Sequence, residues 1–166
     1  MMDREHSCCF TGHRPQKLPW GFDESDARCD ELKHKLKITV ADAITNDKTM
    51  FITGMAMGTD IWCAEAVLEM KKTNPQVRLV AAVPYAGQDR KYPEPWKSRY
   101  QRIIEAADEV ITLRPHYTSG CLHQRNRFMV DNSSMLIAVF TGEPGGTKDT
   151  IEYARNKGLE ITIITP

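Results

Sequence analysis

No stretch of this sequence is apolar for anything near the ~18 residues that a membrane-spanning helix requires, so no helical membrane span is expected. The first ten residues, MMDREHSCCF, hold no long apolar run ahead of a cleavage site, and no signal peptide is expected. Neither sign of charge is in excess: 22 Lys and Arg balance 22 Asp and Glu. Proteins that coat DNA or an anionic membrane carry a basic surplus. A nucleic-acid partner is therefore disfavoured, with room left only for a local patch. The five cysteines, Cys8, Cys9, Cys29, Cys63 and Cys121, include no CxxC pair. An odd count without paired spacing supports neither a disulfide framework nor a zinc site, so reduced cysteines and a cytoplasmic location are expected. The five histidines show no pairing of the metal-binding kind, so no metal is expected. Walker A, GxGxxG and GxSxG motifs are absent as well.

What the chain does have is alternation. At 166 residues, 41% apolar and 27% charged, it has the size and composition of one globular domain, expected over 1–166. Short apolar runs at 7–12, 49–54, 77–84, 109–114, 135–142 and 160–165 read as strands. Amphipathic segments at 23–45, 59–72, 97–108, 121–133 and 148–158 read as helices, the first capped by Asp23 or Ser25. Strand and helix in turn predict an α/β, Rossmann-like three-layer sandwich: a mostly parallel sheet of about six strands with helices on both faces.

In such a sheet, ligands gather beyond the carboxyl ends of the strands, near the switch in strand order. The segments there are TGHRP (11–15), TGMAMGTD (53–60), PYAGQDRKY (84–92) and TGEPGGT (141–147). Glycine allows close approach of another atom to the backbone, and free N–H groups at a helix start favour an anion. Gly54 and Gly58, with Thr59 adding a hydroxyl, are therefore read as a phosphate cradle, alongside Met55 and Ala56 of the same turn. Asp60 falls in the first helical turn, where it caps the helix or accepts from a ribose hydroxyl. Gly145, Gly146 and Thr147 form a second candidate cradle. Either glycine turn also reads as a tight turn with no ligand. After the first strand, Thr11 and Gly12 lead to His13, a donor or proton carrier, and to Arg14, which can pair with a phosphate or carboxylate. Pro84 and Tyr85 follow the third strand. Tyr85 and Tyr117 sit on loops and can stack on a base or simply pack. Trp20, Trp62 and Trp96 are read as packing residues. Arg125, Asn126 and Arg127 cannot all face one way on a helix, and one of them, or Asn126 with one arginine, is expected at the site.

The segments FTGHRP, ITGMAMGTDIWCAE and RNRFMVDNSSMLIAVFTGEPGGTKDTIEYA resemble the YpsA-like proteins (the DUF1273 group) of the SLOG superfamily, over about residues 8–164. That superfamily also contains the Lonely Guy phosphoribohydrolases and the Smf/DprA proteins. The resemblance implies a Rossmann-like fold and a nucleotide or nucleotide-derived ligand, ADP-ribose-like, held near Gly54, Gly58, Thr59, Gly145, Gly146 and Thr147. The two glycine cradles, with no complete catalytic set, point to a sensor or regulatory module with a small-molecule, nucleotide-type partner; no cofactor is certain. Superfamily relatives form dimers, which makes a homodimer an expectation. Two alternatives stand beside it. One is a phosphoribohydrolase-like enzyme cleaving the N-glycosidic bond of nucleoside monophosphates, with Arg125 and Asp149 as catalytic candidates. The other is DprA-like single-stranded DNA binding. The Lonely Guy pattern PGGxGTxxE is not reproduced: here Pro144-Gly145-Gly146-Thr147 lacks the inserted pair, and Thr150 stands where a Glu is expected.

Overall fold

A computed structural model describes residues 2–166. The strands are β1 (Ser7–Gly12), β2 (Met50–Thr53), β3 (Arg78–Val83), β4 (Glu109–Thr112), β5 (Met135–Val139) and β6 (Glu160–Ile164). The helices are α1 (Ala27–Thr45), α2 (Thr59–Lys71), α3 (Trp96–Ala106), α4 (Cys121–Asp131) and α5 (Gly146–Asn156). A 3-10 turn, Pro15–Lys17, follows β1.

The six strands form one sheet in the order β4-β3-β2-β1-β5-β6, and every pairing is parallel. Parallel strands need crossover connections, and helices supply all five. From β1 the chain runs outward through β2, β3 and β4, then returns to place β5 on the other side of β1. The order therefore switches between β1 and β5, where their carboxyl ends leave a crevice.

Side chains alternate across the sheet, which divides the core in two. Cys8, Phe10, Phe51, Leu79 and Ile137 face a layer built from α1, α2 and α3. Cys9, Ile52, Val80 and Leu136 face Met129 and Val130 of α4 and Ile151 and Ala154 of α5. Burial on both faces explains why the inner strands read as unbroken apolar runs. The three tryptophans pack as expected, all nearly inaccessible, with Trp62 and Trp96 in ring contact at 5.9 Å.

Helix α1 starts later than its sequence pattern predicts. Its cap is Asp26, whose carboxylate accepts from Arg28 N at 2.9 Å. Asp23 instead accepts from Ser25 N at 3.1 Å, which closes a turn ahead of the helix. Both are local carboxylate-to-backbone bonds of the kind that compete with helix formation. At the other end of the chain, α5 begins at Gly146, two residues before the predicted start. No described helix is long and apolar enough to cross a membrane. All five cysteines are free and buried, and burial pushes the Cys9 thiol up to about 12.

Candidate functional site

A cavity of about 510 Å³ opens at the β1/β5 switch, within the size range of small-molecule sites. Four parts of the chain converge on it. The end of β1 and the turn after it contribute Thr11, Gly12, His13, Arg14, Gln16 and Lys17; the β2–α2 turn contributes Ala56 and Asp60. Helix α4 and the segment before it contribute Tyr117, Gly120, Leu122, His123, Arg125 and Asn126; the start of α5 contributes Gly145, Gly146 and Thr147.

The start of α5 is left uncapped at the cavity. Gly145 lies at φ 143°, and no side chain caps the helix. The unpaired first-turn amides and the positive helix end thus meet a cavity instead of a capping oxygen. A Cβ at Gly146 would find open space. Lys17 reaches the turn from the opposite wall, its Nζ 3.5 Å from Pro144 O. With Arg14 and Arg125, it gives the lining three permanent cations against one carboxylate, Asp60. At these short ranges, in a partly desolvated cavity, that balance favours a negatively charged occupant.

Arg125 is buried although charged. Its Nε donates to Asn126 Oδ1 at 2.8 Å, and Nη1 donates to the carbonyl of Gly54. Burial pushes the guanidinium's pKa down, and the charge of Asp60 opposes the shift. Asp60 shows the mirror image: burial raises its carboxyl, while Arg125, the Ala56 N–H at 3.2 Å and Arg14 pull it back. The turn between β2 and α2 is held from behind. Gln88 Nε2 donates to Gly54 O, and Tyr92 Oη donates to Met55 O, each at 3.1 Å.

His13 fastens β1 to β5. Its Nε2 accepts from Thr141 N at 3.0 Å, with Thr141 Oγ1 at 2.9 Å. A peptide N–H can only donate, so Nε2 is unprotonated and the neutral ring carries its proton on Nδ1. Burial first, and the charge of Lys17 second, depress the pKa of His13 below its ordinary value of 6.5. The unfolded chain therefore binds the extra proton more readily. The stability this neutral ring contributes is fully present above pH 6.5 and is lost as pH falls through the depressed value. Melting curves from pH 7.5 to 5 are expected to fall more gently for His13→Gln, whose amide oxygen can still accept from Thr141. Equal slopes would refute this role for His13.

The sequence candidates divide in two. Thr11, Gly12, His13, Arg14, Ala56, Asp60, Arg125, Asn126, Gly145, Gly146 and Thr147 line the one cavity. The others lie elsewhere, and the open cradle expected of Gly54 and Gly58 is corrected. A Cβ at Gly54 would lie 2.7 Å from Arg125 Nη1, and one at Gly58 would lie 2.9 Å from Pro15 Cδ. These glycines admit protein atoms, not solvent. Met55 is fully buried in the core, and Thr59 is buried with its hydroxyl donating to His13 O at 3.1 Å. Pro84 and Tyr85 are outside the lining, and Tyr85 is in ring contact with Tyr117. Asp149 is not brought together with Arg125. It lines a neighbouring groove of about 330 Å³ between α4 and α5, with Glu152 and Arg127.

Sequence reading missed Gln16, Lys17, Leu122 and His123. Leu122 precedes Arg125 and Asn126 by three and four residues, one helical face, so that spacing could have found it. Lys17 follows Arg14 by three residues, but the 3-10 turn that makes them neighbours has no apolar period to announce it.

The profile described as the YspA SLOG family (YpsA) matches residues 8–166. The SPbeta prophage-derived protein YoqJ of Bacillus subtilis is 30% identical over 145 residues, covering 78% of this chain and 83% of that protein. A UPF0398 protein of Halalkalibacterium halodurans is 30% identical over 164 residues, 95% of this chain and 86% of the relative. Among solved structures, DNA processing protein A of Helicobacter pylori, described for its single-stranded DNA binding mode, superimposes with a TM-score of 0.59 at 17% identity. That match takes in 95% of this chain and 64% of the other. DprA of Streptococcus pneumoniae gives 0.58 at 15% identity, over 93% of this chain and 49% of the other. The chain thus spans about half to two thirds of those DprA chains, and the likeness is one of fold.

Proposed function

The chain belongs to the YspA SLOG family (YpsA), and from that premise we propose that it binds the phosphate of a small nucleotide-derived ligand in the crevice between β1 and β5, as a sensor or regulatory module. The observation that carries the reading is the uncapped start of α5 at Gly145-Gly146-Thr147, facing a cavity that also holds Arg14, Lys17 and Arg125. Backbone amides at a helix start and a planar guanidinium are complementary to phosphate oxygens. Asp60, the one carboxylate in the lining, is the acceptor available to a ribose hydroxyl. A binding role is preferred to N-glycosidic hydrolysis because Arg125 and Asp149 open onto different hollows. A cytoplasmic setting suits the five unpaired cysteines.

Gly146 provides a clean test. Its backbone is not strained and nothing lies within 4 Å of the Cβ position, so Gly146→Val should leave the ligand-free melting temperature within about 2 °C, roughly the ±0.5 kcal/mol of a surface change. In a thermal-shift screen against nucleotides, a ligand at 100 times its Kd adds about 2.7 kcal/mol, or roughly 5–11 °C for a chain of this size. That shift is expected for the native protein and is expected to vanish in Gly146→Val. A shift that survives the substitution places the ligand elsewhere.

Single-stranded DNA is the second reading, suggested by the Helicobacter pylori neighbour, and the same cations would meet a phosphodiester. It predicts a salt-dependent gel shift with an oligonucleotide. The small-molecule reading predicts no shift at physiological salt.

A further inference from the structure

The rim of the cavity carries an aromatic ring that packing does not account for. Tyr117 is 61% exposed, yet it lines the same cavity as Arg125 and Gly146. It stands edge-to-face with Tyr85, ring centroids 5.4 Å apart and planes at 88°. In that arrangement each ring meets the other through one edge or one face only, and most of the Tyr117 surface remains in solvent.

The loop that carries the ring is tied on both sides of it. The loops that bear the two tyrosines are joined by Ala86 N donating to Arg114 O at 3.0 Å, and Leu113 N donates to Val83 O at 2.9 Å. Arg114 Nε donates to Gln124 Oε1 of α4 at 3.0 Å. Past the ring, Cys121 N donates to Thr118 O at 3.1 Å, and Gly120, in the left-handed region at φ 80°, turns the chain into α4. An exposed aromatic ring beside a cationic cavity is the pairing that a planar base linked to a phosphate would occupy. Stacking on such a face is strong and tolerant of base identity.

We propose that Tyr117, braced by Tyr85, is the platform on which the ligand's heteroaromatic base stacks. The ligands of this cavity are then nucleotides with an intact base, not sugar phosphates or bare phosphate esters. The proposal rests on the phosphate-binding reading above and adds to it the group that selects among phosphorylated compounds. Gln16 and His123 line the same cavity and bring hydrogen-bonding side chains for the edge of a base.

Calorimetric titration with AMP, GMP, CMP and UMP, and with ribose 5-phosphate as the base-free probe, tests this. The native protein is expected to bind at least one nucleotide about tenfold to a hundredfold more tightly than ribose 5-phosphate, the range that one base-on-ring stack supplies. Tyr117→Ala should lose that advantage while ribose 5-phosphate binds as before, and Tyr117→Phe should keep it. If ribose 5-phosphate binds as tightly as every nucleotide, or if Tyr117→Ala weakens both kinds of probe equally or neither, the platform is refuted and the phosphate reading stands. If none of the five probes binds the native protein, the phosphate reading falls and the platform falls with it.

Discussion

Gly12→Ala is expected to lower stability by about 3 kcal/mol, at the upper end for forcing an extra carbon into a packed interior, and the melting temperature by roughly 6–12 °C. The added Cβ would lie 2.6 Å from the Cβ of Thr59 and 2.5 Å from its Oγ1. Thr59 is the first residue of α2, and its hydroxyl already donates to His13 O at 3.1 Å. The clash cannot be relieved by swinging a flexible side chain. The helix start has to move away from β1, and the lining of the crevice moves with it. Thr59→Gly removes the obstructing atoms at a cost of about 0.3 kcal/mol in helix propensity and about 1 kcal/mol for the hydroxyl's bond. The double variant Gly12→Ala/Thr59→Gly should therefore melt no lower than Gly12→Ala alone. Thermal denaturation of all three proteins decides this. A double variant that loses the sum of the two single losses would show that contact with Thr59 is not the cause.

The second large effect concerns binding. Arg125→Ala is expected to weaken any phosphate-bearing ligand about thirtyfold or more, since a charge-assisted contact in a desolvated pocket is worth about 2–5 kcal/mol. Arg125→Lys should fall between, keeping the charge and losing the planar fork. Gly54→Ala approaches the same guanidinium from behind. Its Cβ would sit 2.7–2.9 Å from Nη1, Cζ and Nε of Arg125, pushing the group off its seat on Gly54 O. We expect about a tenfold weakening from Gly54→Ala in the native background and none when Arg125 is already alanine, because both changes act through one side chain. Titration of the four proteins with one nucleotide, well below their melting temperatures, measures the coupling. Independent, additive losses would refute the link.

The architecture was legible because its signals are redundant. Cys8 to Phe10, Phe51 and Ile52, Leu79 to Val83 and Met135 to Val139 are buried on both sides, so each run is apolar without a gap, and α3 and α5 announce themselves by an amphipathic period. The limits of the elements were less legible. Asp23, Ser25 and Asp26 all suit a helix cap, and only the hydrogen bonds choose among them. The site was half legible for a similar reason. A glycine at a strand-to-helix turn signals that something comes close to the backbone, without saying what. At Gly146 it is open cavity, at Gly54 a guanidinium, and at Gly12 a threonine. Those visitors come from residues 71 and 47 positions away along the chain, which no local pattern records.

The bond from Thr141 to His13, together with that from Thr59 to His13 O, has a kinetic corollary. The first of these spans the crevice as a strut made wholly of protein, and the second ties the start of α2 to β1 beside it, so the width is set before anything enters. An arriving molecule has no hinge to wait for and little chain entropy to quench. Its capture should follow a single exponential whose rate climbs linearly with concentration, with no plateau marking a rearrangement.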